Sequence, residues 1–216
     1  MSMLVDHEIR RLCIPTGGSS ILIPATGPVI EPFSEAVDKD VVASYGLNHA
    51  GYDLRIGTKM YIYKNTFNRI IDPLSFKDEK YRNEILDLQD VEDPNPDYVY
   101  HNKMKAARAF ILPPHSYGLA ATVERLCIPH TFKAHFIGKS TYARCGIIVN
   151  LTPGEPGWRG RLTVEISNPT PCPVMIYANQ GICQMELYHL SATPERLYDD
   201  KKYQDQVDIT LPRSSE

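Results

Sequence analysis

The chain has 216 residues and a formal net charge of −3, from 23 lysines and arginines against 26 aspartates and glutamates; this excludes a bulk basic coat for nucleic acid. The 43% hydrophobic and 23% charged residues argue against disorder, and no apolar run approaches the ~20 residues with which a helix crosses a bilayer, so no membrane partner is expected. Five cysteines, an odd number with no CxxC pair, exclude a disulfide framework and a zinc knuckle.

These features lead us to expect a single domain over 1–216, with reduced cysteines in a cytoplasmic setting. The opening MSMLVDHEIRRL carries acids and arginines and is not expected to act as a secretory signal. Asp6 is expected to cap a short helix whose Ile9, Leu12 and Cys13 share a face with Val5. From Pro15 to Pro32 the chain is rich in Gly, Ser and Pro, which reads as an irregular arm, with 15–28 as an insertion. YDLRIG and KMYIY alternate at period two and read as strands. Residues 75–105 are charged and contain DPNPD, so they read as a surface insertion with a short helix at Lys80–Leu88.

From Arg108 onward, strand signals come at short, regular intervals: ARAFIL, YGLAATVE, FKAHFI, GIIVNL, RLTVEIS, PVMIY and ICQMELYHL, separated by turns such as PPH, TPGEPGW and NPTPCP. Seventeen prolines suit this strand-and-turn pattern, which predicts an antiparallel barrel or sandwich. The polar segment 194–216 lacks period-two patterning and reads as a C-terminal arm.

Two stretches carry chemistry. In GKSTYARCG (138–146), a turn opening at Ser140 would aim backbone N–H groups, Lys139 and Arg144 at one anion, with hydroxyls from Ser140 and Thr141. A plain β-turn with solvated cations is the competing reading, because the spacing is not that of a Walker loop. In WRGRLTVEISN (158–168), alternation puts Leu162, Val164 and Ile166 on one face and Arg161, Thr163, Glu165 and Ser167 on the other. Were that second face to line a cavity, a partly desolvated Glu165 would have a raised pKa and move protons near neutral pH. A solvent-facing glutamate is the alternative there. The seven histidines form no HxxxH or HxH pair, the HxE…PCxxC zinc signature is absent, and Ser140 lacks a GxSxG elbow. Trp158, the single tryptophan, reads as a core or turn-packing residue.

HAGYDLRIG (49–57), GKSTYARCGIIVNLTPGEPGWRGRLTVEISN (138–168), IYANQGICQM (176–185) and KYQDQ (202–206), with IEPFSEAV at 30–37, together resemble the dCTP deaminases of the dUTPase-like superfamily. The resemblance implies a mainly β fold, a distorted jelly-roll β-barrel with a few short helices. It also implies a homotrimer with shared active sites that converts dCTP and water to dUTP and ammonia. By the same resemblance, Lys139, Ser140, Thr141 and Arg144 bind the triphosphate or stand beside the base. Thr163 and Val164 read the pyrimidine edge through the backbone, and Glu165 is the catalytic acid/base, aided by Arg144 and Ser140. Gln184, Tyr198, Lys202 and Gln206 hold phosphates and sugar. Mg2+ would ride on the triphosphate without a protein cage, no zinc would take part, and dTTP would act as an inhibitor.

Relatives often carry IDPGW or EPEW where this chain has GEPGW (154–158), so Glu155 is assigned no role. The rival on the same barrel is a dUTP diphosphatase, which the missing glycine-rich tail disfavours. A bifunctional dCTP-to-dUMP enzyme is disfavoured by the lack of an aspartate between Pro153 and Trp158. From another class, a non-catalytic nucleotide-binding module would need the phosphate contacts but not both Glu165 and Arg144.

Overall fold

A computed structural model describes residues 2–14, 27–35, 41–63, 73, 84–86, 89–90, 108–198 and 202–213. Most of the two expected insertions lies outside them. Strand β1 (Ser2–Met3) leads into α1 (Asp6–Cys13). The helix starts at Asp6 itself, so Val5 takes the cap position expected for Asp6, and the Glu8 carboxylate accepts the Val5 N–H at 3.0 Å. Ile9, Leu12 and Cys13 are buried, as the spacing predicts. Acids in its first turn and arginines in its last oppose the helix dipole favourably.

The strands that follow are β2 (Ile30–Glu31), β3 (Gly46–Asn48), β4 (Gly51–Tyr63), β5 (Glu84–Leu86), β6 (Gln89–Asp90), β7 (Arg108–Leu112), β8 (Ser116–Cys127) and β9 (Phe132–Gly138). A one-turn helix α2 (Ser140–Arg144) precedes β10 (Ile148–Asn150), β11 (Arg159–Asn168), β12 (Val174–Tyr177) and β13 (Gly181–His189). Among the described residues, ten strands join one curled sheet ordered β1-β13-β4-β8-β11-β10, with β2 on β8, β3 and β5 on β4, and β9 on β13. A second sheet runs β12-β7-β6. The strand ladders are antiparallel, so the mainly β expectation is borne out. Among the described residues no helix is long and apolar enough to cross a membrane.

The two strand pieces YDLRIG and KMYIY are one strand. Tyr52–Arg55 of β4 pairs with β13, then Ile56–Tyr63 pairs with β8 after a register shift between Ile56 and Met60. Changing partners along one strand lets the sheet curl around Ile56, Met60, Ile62, Leu126, Val164 and Ile166, which are fully buried or nearly so. Each such side chain contributes about 1.5–3 kcal/mol through burial. Two sequence expectations give way to pairing. Where Lys80–Leu88 is described, Glu84–Leu86 is a strand against Met60–Ile62 rather than helix, because the open edge of β4 supplies the backbone partners. Ile30–Glu31, within the expected irregular arm, pairs with Leu126 and Arg125 of β8.

A buried ion pair ties β4 to β8. Glu124, with a side chain fully buried, accepts Arg55 Nε at 2.6 Å and the Arg55 N–H at 2.9 Å. Burial pushes its carboxyl above the usual range, and the arginine pulls back against that. Arg55→Met leaves this carboxyl unpaired and is expected to cost about 3–5 kcal/mol, while the Arg55→Met/Glu124→Leu pair recovers most of the loss. Denaturant midpoints of the two variants against the parent check this.

Candidate active site

Strand β11 positions the site. Its even-numbered residues from Gly160 to Asn168 are buried, and Arg161, Thr163, Glu165 and Ser167 are only half-buried on the opposite face. That face opens on a cavity of about 370 Å3, a volume within the range of small-ligand pockets. Glu165 lies opposite Leu119 of β8 and opposite Asn150 of β10. Tyr117 and Leu119 form the wall beside it, and Thr152, Pro153, Gly154 and Glu155 form the rim.

The carboxyl of Glu165 is the unusual group. Its Oε2 is buried and finds no hydrogen-bond partner among the described residues. Desolvation raises its pKa from 4.5 to about 7, against a smaller lowering by its own backbone N–H. A carboxyl with that affinity exchanges a proton readily at neutral pH, which is what a general acid/base requires.

The C-terminal arm closes the cavity from the same chain. The Trp158 indole N–H donates to Tyr203 O at 2.8 Å, and Gln204 bridges the Arg159 N–H and Gly157 O. Arg159 forks onto Asp205 at 2.6 and 2.8 Å. Gln206 meets Thr163 Oγ1 at 3.1 Å, and its carbonyl accepts the Arg161 N–H at 2.7 Å. Gly160, at φ 143°, permits this approach, since a Cβ there would sit 2.7 Å from Gln206 N. Tyr198 and Gln206 thus line the cavity with Thr163 and Glu165.

The other expected site residues lie elsewhere. Val164 is buried in the core. Lys202 is exposed and donates to Arg213 O at 2.8 Å. Gln184 is half-buried on β13, opposite Asp53 and Ile137. Ser140 and Arg144 are exposed on α2, linked at 3.3 Å, with Thr141 half-buried between them. None of Lys139, Ser140, Thr141 and Arg144 lines the cavity, and among its described lining residues there is no lysine or arginine. Lys139 is spent on Asp53 and Ser44. Sequence reasoning missed Tyr117, Leu119, Tyr203 and Thr210, and it read Trp158 as packing alone. The period-two pattern of YGLAATVE held a signal for the first two, but only the β8–β11 register brings them to Glu165.

A family model described as dCTP deaminase-like matches residues 29–190. The chain belongs to that family. A curated dCTP deaminase of Acidiphilium cryptum is 40% identical to this family member over 99% of the chain and 100% of its own length. One from Campylobacter fetus is 44% identical over 86% of the chain and 89% of its own length. A crystal structure of 2′-deoxycytidine 5′-triphosphate deaminase from Agrobacterium tumefaciens superposes with a TM-score of 0.53 at 20% identity, a likeness of fold. It covers 86% of this chain, which spans about half (46%) of that solved one.

Because folding raises the pKa of Glu165, the native state binds the proton more tightly than the unfolded chain. Its contribution is therefore favourable at low pH and is lost as pH rises from 4.5 to about 7. In the dCTP deaminase-like chain, Glu165→Gln carries no such penalty. Its melting temperature is expected to gain on the parent between pH 5 and pH 8, read by thermal unfolding without nucleotide; a constant difference places the carboxyl in solvent.

Proposed function

We infer that this chain hydrolyses dCTP to dUTP and ammonia, with Glu165 moving the protons. The observation that carries the reading is the buried Glu165 Oε2, without a hydrogen-bond partner among the described residues, in a carboxyl that lines a cavity of about 370 Å3. Curated relatives named dCTP deaminase align with essentially the whole chain, which supports it.

In this reading the pyrimidine lies between Glu165 and the Trp158–Tyr203 side of the cavity. Arg161 N–H points to the arm and Leu162 N–H to Thr122 of β8. Alternation along the strand then turns the Thr163 N–H and C=O away from β8, ready for the polar edge of a base; Val164 serves only through its place in that backbone. Glu165 takes a proton from water as the oxygen attacks C4 and passes it to N3. Glu165 then takes the proton of the new C4 hydroxyl and gives it to the exocyclic nitrogen, and C4=O forms as the C4–N bond breaks to release ammonia. Tyr198, Gln206, Lys202 and Gln184 hold sugar and phosphates, and the substrate enters as its Mg2+ complex.

A triphosphate needs cations, and this cavity has none in its described lining. The exposed Ser140 and Arg144, with the half-buried Thr141, supply hydroxyls and a guanidinium from a neighbouring copy in a homotrimer, stabilising charge on the tetrahedral adduct. Exposed apolar Ile137 and Ile148, on the strands flanking α2, give that copy a surface to cover. A dTTP molecule fits the same contacts without an amine to lose and acts as a competitive inhibitor.

Incubation with Mg2+ and dCTP is expected to give ammonia and dUTP in equal amounts. Pyrophosphate with dUMP points to the bifunctional reaction instead, and no ammonia ends the proposal. Glu165→Gln is expected to lower turnover by about 10²–10⁴-fold with little change in KM. Arg144→Ala is expected to be similarly impaired while staying trimeric. Co-expressed, the two variants should regain roughly a quarter of parental activity, since random assembly rebuilds that share of shared sites. No recovery places both residues in one protomer's site.

A further inference from the structure

The ammonium of Lys139, a group expected to touch phosphate, has no donor left to offer. An ammonium carries three N–H bonds. In this chain they meet Ser44 O at 2.9 Å, Ser44 Oγ at 2.9 Å and Asp53 Oδ2 at 2.5 Å. The side chains of Lys139 and Asp53 are 13% and 3% exposed. Swinging the ammonium out to a ligand would strand a buried carboxylate, so the arrangement resists that motion.

The surroundings are built to the same end. Gln180 Oε1 accepts the Val42 and Ala43 N–H groups at 2.9 and 3.1 Å, holding the segment that presents Ser44. Gly181 is the residue that allows it: a Cβ there would lie 2.0 Å from Ser44 O and 3.0 Å from Lys139 Cδ. On the far side, the Lys139 carbonyl accepts the Tyr142 and Ala143 N–H groups at 3.1 and 3.2 Å and starts α2. The Tyr142 hydroxyl, buried, accepts the Tyr177 N–H at 3.1 Å and fixes the other side of the turn. Held at Lys139 and Tyr142, the turn leaves Ser140 and Arg144 facing outward.

We propose that Asp53 and Lys139 are positioning residues for the deamination: Asp53 and Ser44 hold Lys139 as a strut that sets the Ser140–Arg144 turn, and Lys139 is not a ligand of the triphosphate. The proposal rests on the function inferred above, which gives Ser140 and Arg144 their role. It predicts that the partners of Lys139 matter as much as the lysine.

The test compares Asp53→Asn, Lys139→Met, the double variant and the milder Ser44→Ala in full-length protein. Removing either end of the strut should lower kcat by about tenfold or more, and any change in KM for dCTP or in inhibition by inorganic triphosphate should be alike for Asp53→Asn and Lys139→Met. The double variant, which leaves no buried charge alone, should be no worse than Lys139→Met, because the two act as a unit. Ser44→Ala, which keeps the ion pair, should show a smaller loss of the same kind. Amide hydrogen exchange at Tyr142 and Ala143 should quicken in the folded variants. A rise in KM and weakened triphosphate inhibition confined to Lys139→Met overturns the proposal, as do additive losses or unchanged exchange. If the parent shows no turnover, the functional reading fails by itself, and the exchange rates still decide whether the strut exists.

Discussion

A carboxyl held out of water with one oxygen left without a hydrogen bond is the constraint around which this molecule is arranged. Glu165 is pushed up to about 7 by burial, and its Oε2 has no hydrogen bond among the described residues. Such a group opposes folding wherever it is ionised. The strands β8 and β11 and the arm at 202–213 supply the packing that outweighs it.

The buried acids show the contrast. Glu124 is covered completely and is matched by Arg55; Asp53 is nearly as deep and is matched by Lys139. Both pairs knit β4 to its neighbours. Glu165 is the acid left without a cation, and it alone of the three faces the cavity. The exposed guanidinium of Arg144 stands instead on α2, outside that cavity. In the proposed function the proton chemistry and the charge recognition are therefore separated within one chain, and a second copy joins them.

The sequence pattern carried some of this a long way. Alternation in RLTVEIS sorted Glu165 from Val164 and Ile166 correctly, because the period of a strand is local. The buried face of α1 was equally readable. Other contacts were not legible because the partners are remote in sequence. Lys139 looks like a phosphate cation beside Ser140 and Arg144, yet its partner Asp53 lies 86 residues away. Trp158 looks like plain packing until the arm brings Tyr203 to its indole N–H. Glu84–Leu86 sits in a charged stretch that reads as helix, and the free edge of β4 makes it a strand.

By itself the sequence determined the class of fold and the face of each strong strand, since these depend on neighbours one to four positions apart. The tertiary structure decided the rest. It chose which side chains meet across β8 and β11, which charges pair internally, and where the arm lies. Those outcomes depend on register and on burial shared between distant segments, and burial is what raises the proton affinity of Glu165 above that of an ordinary glutamate.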